Sequence, residues 1–307
     1  MNQYIRYLLI FIILVMPSCS DNGQKKEHLQ ETNKAVTTIL PIYFAVSQVG
    51  RGVVEVTNLL PPGGSPHTYA PTPEEIKEAE NADIIFKLGL NLDDWMDEII
   101  RSSKLQDTPV IVVSKNIETI HLNHSDCKNH HHQHDNGDPH IWMDPVRMKT
   151  IALNIKEALI EKFPQKKETI EKNYKQYVNS LDQLDKKYSQ SLSNLKNKDY
   201  VTFHSFMTYL GRRYDINQIA VISEFPGKEP DPRHIAEVVD LLKEKKVKVV
   251  FVEPQFSDKA SRAIAREING EILVIDPLGN PYDSERNTYI KNMEKNLENL
   301  IKAFKQN

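Results

Sequence analysis

The chain has 307 residues, 39% hydrophobic and 26% charged, which excludes a one-core module, wholesale disorder and a polytopic membrane protein. Its 39 basic and 42 acidic residues leave a formal charge of −3, so no basic surplus exists to neutralise a phosphate backbone, and nucleic acid is not an expected partner. Two cysteines, Cys19 and Cys127, stand in unlike contexts and are too few for a disulfide framework.

Residues 1–18 carry Arg6 in a short polar start, an apolar run from Tyr7 to Met16, and then Pro17 and Ser18. An apolar run this short falls below the roughly 20 residues that span a bilayer and reads as a signal peptide. Ser18 before Cys19 resembles the lipobox of bacterial lipoproteins, with Met16 in place of the usual leucine. This predicts cleavage before Cys19 and a lipid anchor on it, against the alternative of a leftover cysteine in an ordinary secretory signal. Ser20 to Lys34 is polar and charged, a flexible tether of residues 19–34 that is set aside from the fold.

From Ala35 short β-rich runs alternate with amphipathic helical runs, the pattern of α/β lobes built on mainly parallel sheets. Strands are predicted at Val36–Leu40, Val53–Leu60, Ala82–Leu88 and Pro109–Val113, then at Tyr200–Phe203, Ile219–Ile222, Val247–Val252 and Glu271–Ile275. Thr72 before Pro73 with Glu75 three residues on is a capping box, and Asp144 before Pro145 opens a second helix. Later helices fit Ser205–Tyr214, Pro232–Lys245, Ser257–Ile268 and Ser284–Phe304. Between the two halves, Gln165–Leu195 has no glycine or proline and spaces Ile170, Tyr174, Tyr177, Leu181, Leu184, Tyr188, Leu192 and Leu195 by threes and fours. A coiled-coil seam is one reading of this run, and a single long helix packed across both lobes is the better one. The expected organisation is a lobe over 35–164, a rigid linking helix over 165–195 and a second lobe over 196–307.

Eleven histidines occur, and His121, His124, His130, His131, His132 and His134 crowd into the segment 116–138, which has almost nothing apolar to bury after Leu122. A flexible imidazole tract collects metal without one fixed geometry, where the blander reading is a solvated polar loop. Cys127 within it is either an added thiolate ligand or a bystander. Four other residues stand where a lobe would present them. His67 follows the second strand, His140 precedes a helix, His204 ends the strand at 200–203, and Asp276 ends the strand at 271–275. In doubly wound sheets ligands gather at the carboxyl ends of strands, and three imidazoles with one carboxylate make a four-ligand site of the kind zinc prefers.

The motifs Pro66-His67-Thr68-Tyr69, Asp138-Pro139-His140-Ile141-Trp142, Thr202-Phe203-His204-Ser205-Phe206, Glu253-Pro254-Gln255-Phe256-Ser257 and Asp276-Pro277-Leu278-Gly279 occur in this order. In them the chain resembles the zinc-binding solute receptors of ABC import systems, the ZnuA/TroA-like group of periplasmic-type binding proteins. The resemblance implies a metal held between two lobes, with His67, His140, His204 and Asp276 as ligands. A loop carboxylate or water is the other occupant of the fourth position. His204 stands where manganese and iron members usually carry glutamate, and a histidine-rich loop before the second ligand is typical of zinc members. Both imply zinc as the ion. Glu224 is either a support for a ligand histidine or an ordinary loop carboxylate, while His28 and His234 have no motif around them. The resemblance further implies a monomeric, lipid-anchored, extracytoplasmic receptor that hands zinc to a membrane permease driven by a separate ATPase and catalyses nothing. The chain itself has no Gly-Lys-Ser/Thr or Gly-x-Gly-x-x-Gly loop for a nucleotide. Two rivals remain open, a zinc hydrolase using an open coordination position and a surface adhesin of the same fold.

Overall fold

A computed structural model describes residues 33–121, 137–223 and 226–307. The expected signal peptide, Cys19, Cys127, Glu224 and His124, His130, His131, His132 and His134 lie outside them. The first lobe holds strands β1 (Asn33–Thr37), β2 (Val54–Asn58), β3 (Ile84–Lys87) and β4 (Val110–Val112), all parallel in the order β2-β1-β3-β4. The second holds β5 (Asp199–Thr202), β6 (Asn217–Val221), β7 (Val249–Val252) and β8 (Glu271–Val274), parallel in the order β6-β5-β7-β8. Each predicted strand is present, although β1 starts at Asn33, inside the stretch assigned to the tether, and ends at Thr37 rather than Leu40. The chain turns there because Leu40 and Pro41 open helix α1 (Leu40–Val49), and proline is tolerated in a first helical turn.

Helix α2 (Pro73–Ala79) begins at the expected capping box, with the Thr72 side chain accepting from Glu75 N–H and the Glu75 carboxylate accepting from Thr72 N–H. Helix α3 (Trp95–Ser102) follows β3. Helix α4 (Pro145–Lys162) is capped by Asp144, whose carboxylate accepts from Val146 N–H at 2.8 Å. Helix α5 (Lys167–Leu192) is the linking helix, 26 residues and so about 39 Å long. Its buried positions include Ile170, Tyr177, Leu181, Leu184, Tyr188 and Leu192, the stripe that the spacing in threes and fours predicted.

In the second lobe, α6 (Thr208–Tyr214) starts three residues later than expected, because His204–Phe206 are spent turning into the cleft between the lobes. Helix α7 (Pro232–Lys245) has the expected bounds, and α8 (Lys259–Glu267) is slightly shorter than its prediction. Helix α9 (Tyr289–Phe304) also starts late, since Asn280–Arg286 form a hydrogen-bonded loop in which Asp283 accepts from the Arg286 guanidinium.

Helix α5 packs against α1 and α4 of the first lobe and α6 and α9 of the second. One continuous apolar cluster therefore runs from Ile39 and Phe86 through Leu181 and Tyr188 to Phe251 and Leu297, with smaller clusters behind each sheet. A shared core of this kind resists a wide hinge motion, because opening the lobes would expose apolar surface along the whole helix. No helix among the described residues is long and apolar enough to cross a membrane.

Candidate metal centre

His67 lies in the loop between β2 and α2, a proline- and glycine-rich run in which Gly64 N–H donates to Pro61 O and Thr68 N–H to Ser65 O. Tyr69 fixes the outgoing end of this loop. Its hydroxyl donates to Leu59 O at 2.8 Å, and its ring meets Trp95 edge-on at 4.8 Å. His140 stands just before a 3-10 turn, Ile141–Met143, that leads into α4. His204 leaves the carboxyl end of β5, where the Thr202 hydroxyl donates to its carbonyl at 2.7 Å and sharpens the turn.

The structure brings these three histidines together. Their ligand atoms all lie within 4.8 Å of one another, with Nε2 of His140 3.2 Å from Nε2 of His67 and 3.4 Å from Nε2 of His204. A tetrahedral ion about 2.0–2.1 Å from each nitrogen sets nitrogen–nitrogen separations of roughly 3.3–3.4 Å, so these spacings fit a small four-coordinate cation. His140 and His204 are buried and His67 is half-buried. Trp142, Phe256, Pro66 and Leu278 wall a cleft of about 10 Å3, room for an ion and little more.

Two carboxylates fix the ring orientations. Asp138 Oδ1 lies 2.7 Å from Nδ1 of His140, and Glu253 Oε1 lies 2.8 Å from Nδ1 of His204. A carboxylate accepts, so in the neutral imidazole the proton sits on Nδ1 and the lone pair on Nε2. Burial alone would raise the Asp138 carboxyl, but the charge and hydrogen bonds of His140 outweigh it and hold the group below the usual carboxylate range. Converging Nε2 lone pairs repel one another unless a proton or a metal ion stands between them. The arrangement is that of metal-ligating histidines with the other nitrogen tied to a carboxylate.

Asp276, expected as the fourth ligand, is not in this group. One of its oxygens accepts from Leu278 N–H, Gly279 N–H and Gln255 Nε2, and the other from the Arg286 guanidinium at 2.8 Å. Both its oxygens are engaged inside the second lobe. Among the loop histidines, His121 is described and exposed and does not join the cluster. Sequence reasoning missed Asp138 and Glu253 as the partners of the ligand rings, although both lie inside the motifs already quoted. Asp138 was signalled by its place two residues before His140. Glu253 gave no such sign, because only the order β5-β7 places it beside His204.

A family model described as the zinc-uptake complex component A, periplasmic, matches residues 35–303. The zinc-binding protein AdcA of Streptococcus pyogenes serotype M3 is 29% identical over 294 residues, covering 90% of this chain and 57% of its own length, so the chain spans little more than half of that relative. The high-affinity zinc uptake system protein ZnuA of Bacillus subtilis is 27% identical over 303 residues, covering 96% of this chain and 95% of its own. A crystal structure of ZnuA superposes with a TM-score of 0.78 at 25% identity, covering 89% of this chain and 100% of its own. With its two parallel sheets, its linking helix and a match spanning both lobes, the chain belongs to the ZnuA family of periplasmic zinc-uptake components.

Proposed function

We propose that the chain is an extracytoplasmic receptor that captures Zn2+ through His67, His140 and His204 and delivers it to the permease of an ABC import system. The observation that carries this reading is the meeting of three Nε2 atoms at tetrahedral spacing, two of them on rings held through Nδ1 by buried carboxylates. The two carboxylates behind the ligand rings bring negative charge to the site, which a divalent cation balances. All-nitrogen first ligands favour zinc over manganese, which takes oxygen donors. The names of the relatives, zinc-binding protein and zinc uptake system protein, support the same ion. With Asp276 engaged elsewhere, the fourth position falls to a loop carboxylate or to water. The delivery partner, its separate ATPase, the lipid on Cys19 and a monomeric state follow from the resemblance of the sequence to such receptors.

A hydrolase would need a base beside the metal. Asp138 and Glu253, the carboxylates at the cluster, each hold an imidazole N–H and are thereby placed to orient ligands. The receptor reading is tested by competitive calorimetry of zinc against manganese, beside His140→Ala and a variant lacking residues 127–135. One tight zinc site is expected to survive removal of the loop. A four-ligand zinc site is worth about 10–16 kcal/mol, so loss of one ligand in His140→Ala should weaken binding on the order of a hundredfold or more. Preference for manganese, or binding that vanishes with the loop and persists in His140→Ala, would sink the assignment.

A further inference from the structure

We propose that Asp276 supplies no atom to the bound ion and is instead a positioning residue, which sets the distance between a ligand of the first lobe and a ligand of the second. The inference rests on the receptor reading above and concerns how that site is held to size.

Asp276 leaves the carboxyl end of β8 and is 2% exposed. Leu278 N–H, Gly279 N–H and Gln255 Nε2 donate to Oδ1 at 3.0, 3.1 and 3.0 Å, and the Arg286 guanidinium donates to Oδ2 at 2.8 Å. Three donors crowd Oδ1 and a charge-assisted bond holds Oδ2, so both oxygens are engaged. The backbone is pinned as firmly. Asp276 N–H donates to Asn296 Oδ1 at 2.9 Å, and its carbonyl accepts from Asn292 Nδ2 and Asn296 Nδ2 at 2.8 and 2.7 Å. Turning this carboxylate toward an ion would strip a buried half of its ion pair with Arg286 and unpair two buried amides.

What the carboxylate holds explains why it is there. Pro277 and Leu278, which it fixes, wall the cleft, and Pro277 O accepts from Trp142 Nε1 at 2.8 Å. The Trp142 ring, two residues after His140 and inside the 3-10 turn, lies 5.3 Å from the His140 ring. Through Pro277 and Trp142, Asp276 thus reaches the ligand of the first lobe. Gln255, its other partner, lies two residues beyond Glu253, the residue that holds His204. Through Gln255 and Glu253 it reaches the ligand of the second lobe. The 3.4 Å between Nε2 of His140 and Nε2 of His204 is the gap this frame spans. Arg286 closes the frame from outside, its guanidinium shared between Asp276 and Asp283.

Arg286 touches no ligand and its side chain is 25% exposed, so it separates the two roles that Asp276 could have. In the full chain, zinc affinity is measured by chelator competition for Arg286→Met, Arg286→Lys, Asp276→Ala and the Arg286→Met/Asp276→Ala pair, with the visible spectrum of each protein loaded with Co2+. A positioning role predicts that Arg286→Met and Asp276→Ala each weaken zinc binding by about 10–100-fold, the range seen for residues that support ligands. The double variant should be no weaker than the worse single one, and Arg286→Lys should recover most of the affinity. The Co2+ spectrum should keep the intense bands of a four-coordinate, nitrogen-rich site throughout. If Asp276 were a ligand held back by Arg286, Arg286→Met would free it and tighten zinc binding. That result, or an Arg286→Met protein indistinguishable from wild type, overturns the proposal. The Arg286 pair carries the test even where Asp276→Ala does not fold. A wild-type protein that binds no zinc overturns the receptor reading instead.

Discussion

The two lobes share one strand order, yet they use the crevice it creates in opposite ways. In each, the inner strand pair β1/β3 or β5/β7 is the point where the order reverses, and a doubly wound sheet opens there toward a ligand. The second lobe exploits the opening directly, with His204 leaving β5 and its partner Glu253 leaving β7. In the first lobe the corresponding ends are closed by Asp93, which is fully buried and accepts from the Thr38 hydroxyl at 2.6 Å and from Leu88 and Gly89 N–H at 2.6 and 2.8 Å. Burial raises the Asp93 carboxyl above its ordinary range in spite of these donors. The first lobe therefore delivers its ligands from elsewhere, His67 from a loop and His140 from a helix entrance. A common topology supplies the opening, and the residues at the strand ends decide whether it holds cargo or structure.

The comparison can be broken at several points. The largest effect is expected at the two carboxylates that orient the rings. Glu253→Gln in the second lobe and Asp138→Asn in the first should each lower zinc affinity by about 10–100-fold in chelator competition. A large loss in one and none in the other would show that only one lobe presents a fixed ligand. Next comes Asp93→Ala, which unpairs three buried donors and should cost about 1–3 kcal/mol in denaturant unfolding while leaving zinc affinity unchanged. A drop in affinity without a drop in stability would mean that the first crevice belongs to the site after all.

The smallest effect concerns the join between linking helix and second lobe. The Asp185 carboxyl on α5 is lowered by hydrogen bonds from Arg213, at 2.8 and 2.9 Å, against a smaller burial effect. A depressed folded-state pKa stabilises the fold above the ordinary carboxylate range, and the benefit is lost as pH falls through the folded value. Asp185→Asn should thus be less stable than wild type at neutral pH by under about 1 kcal/mol, for a partly exposed pair. The gap should close in acid. A gap that is unchanged in acid would assign the loss to packing and not to the ion pair.

Much of the frame was legible along the chain. The capping box at Thr72 and Glu75, the span of α7 and the apolar stripe of α5 are local signals, since caps and periodicity act within a few turns. Helix α1 carried no amphipathic signal because it is buried on nearly every side, as Leu40, Ile42, Phe44, Ala45, Val46 and Val49 are. The three histidines stood out through their motifs and their places at element ends. Asp276 stood out for the same reason, but a motif shows that a carboxylate is wanted without showing which donors surround it. Its four donors come from Gln255, Leu278, Gly279 and Arg286, and the last lies ten residues away in a loop whose path no spacing reveals.

By itself the sequence determined the α/β class, the strands, most of the helices, the linking helix and the histidines that could serve a metal, since each is written in composition, periodicity and neighbouring residues. The tertiary structure decided the strand order that sets Glu253 against His204, the meeting of three Nε2 atoms across two lobes, and the capture of Asp276 by Arg286. Those are distances between residues far apart in the chain, and they come into being only when the shared core around α5 closes and brings the lobes to one spacing.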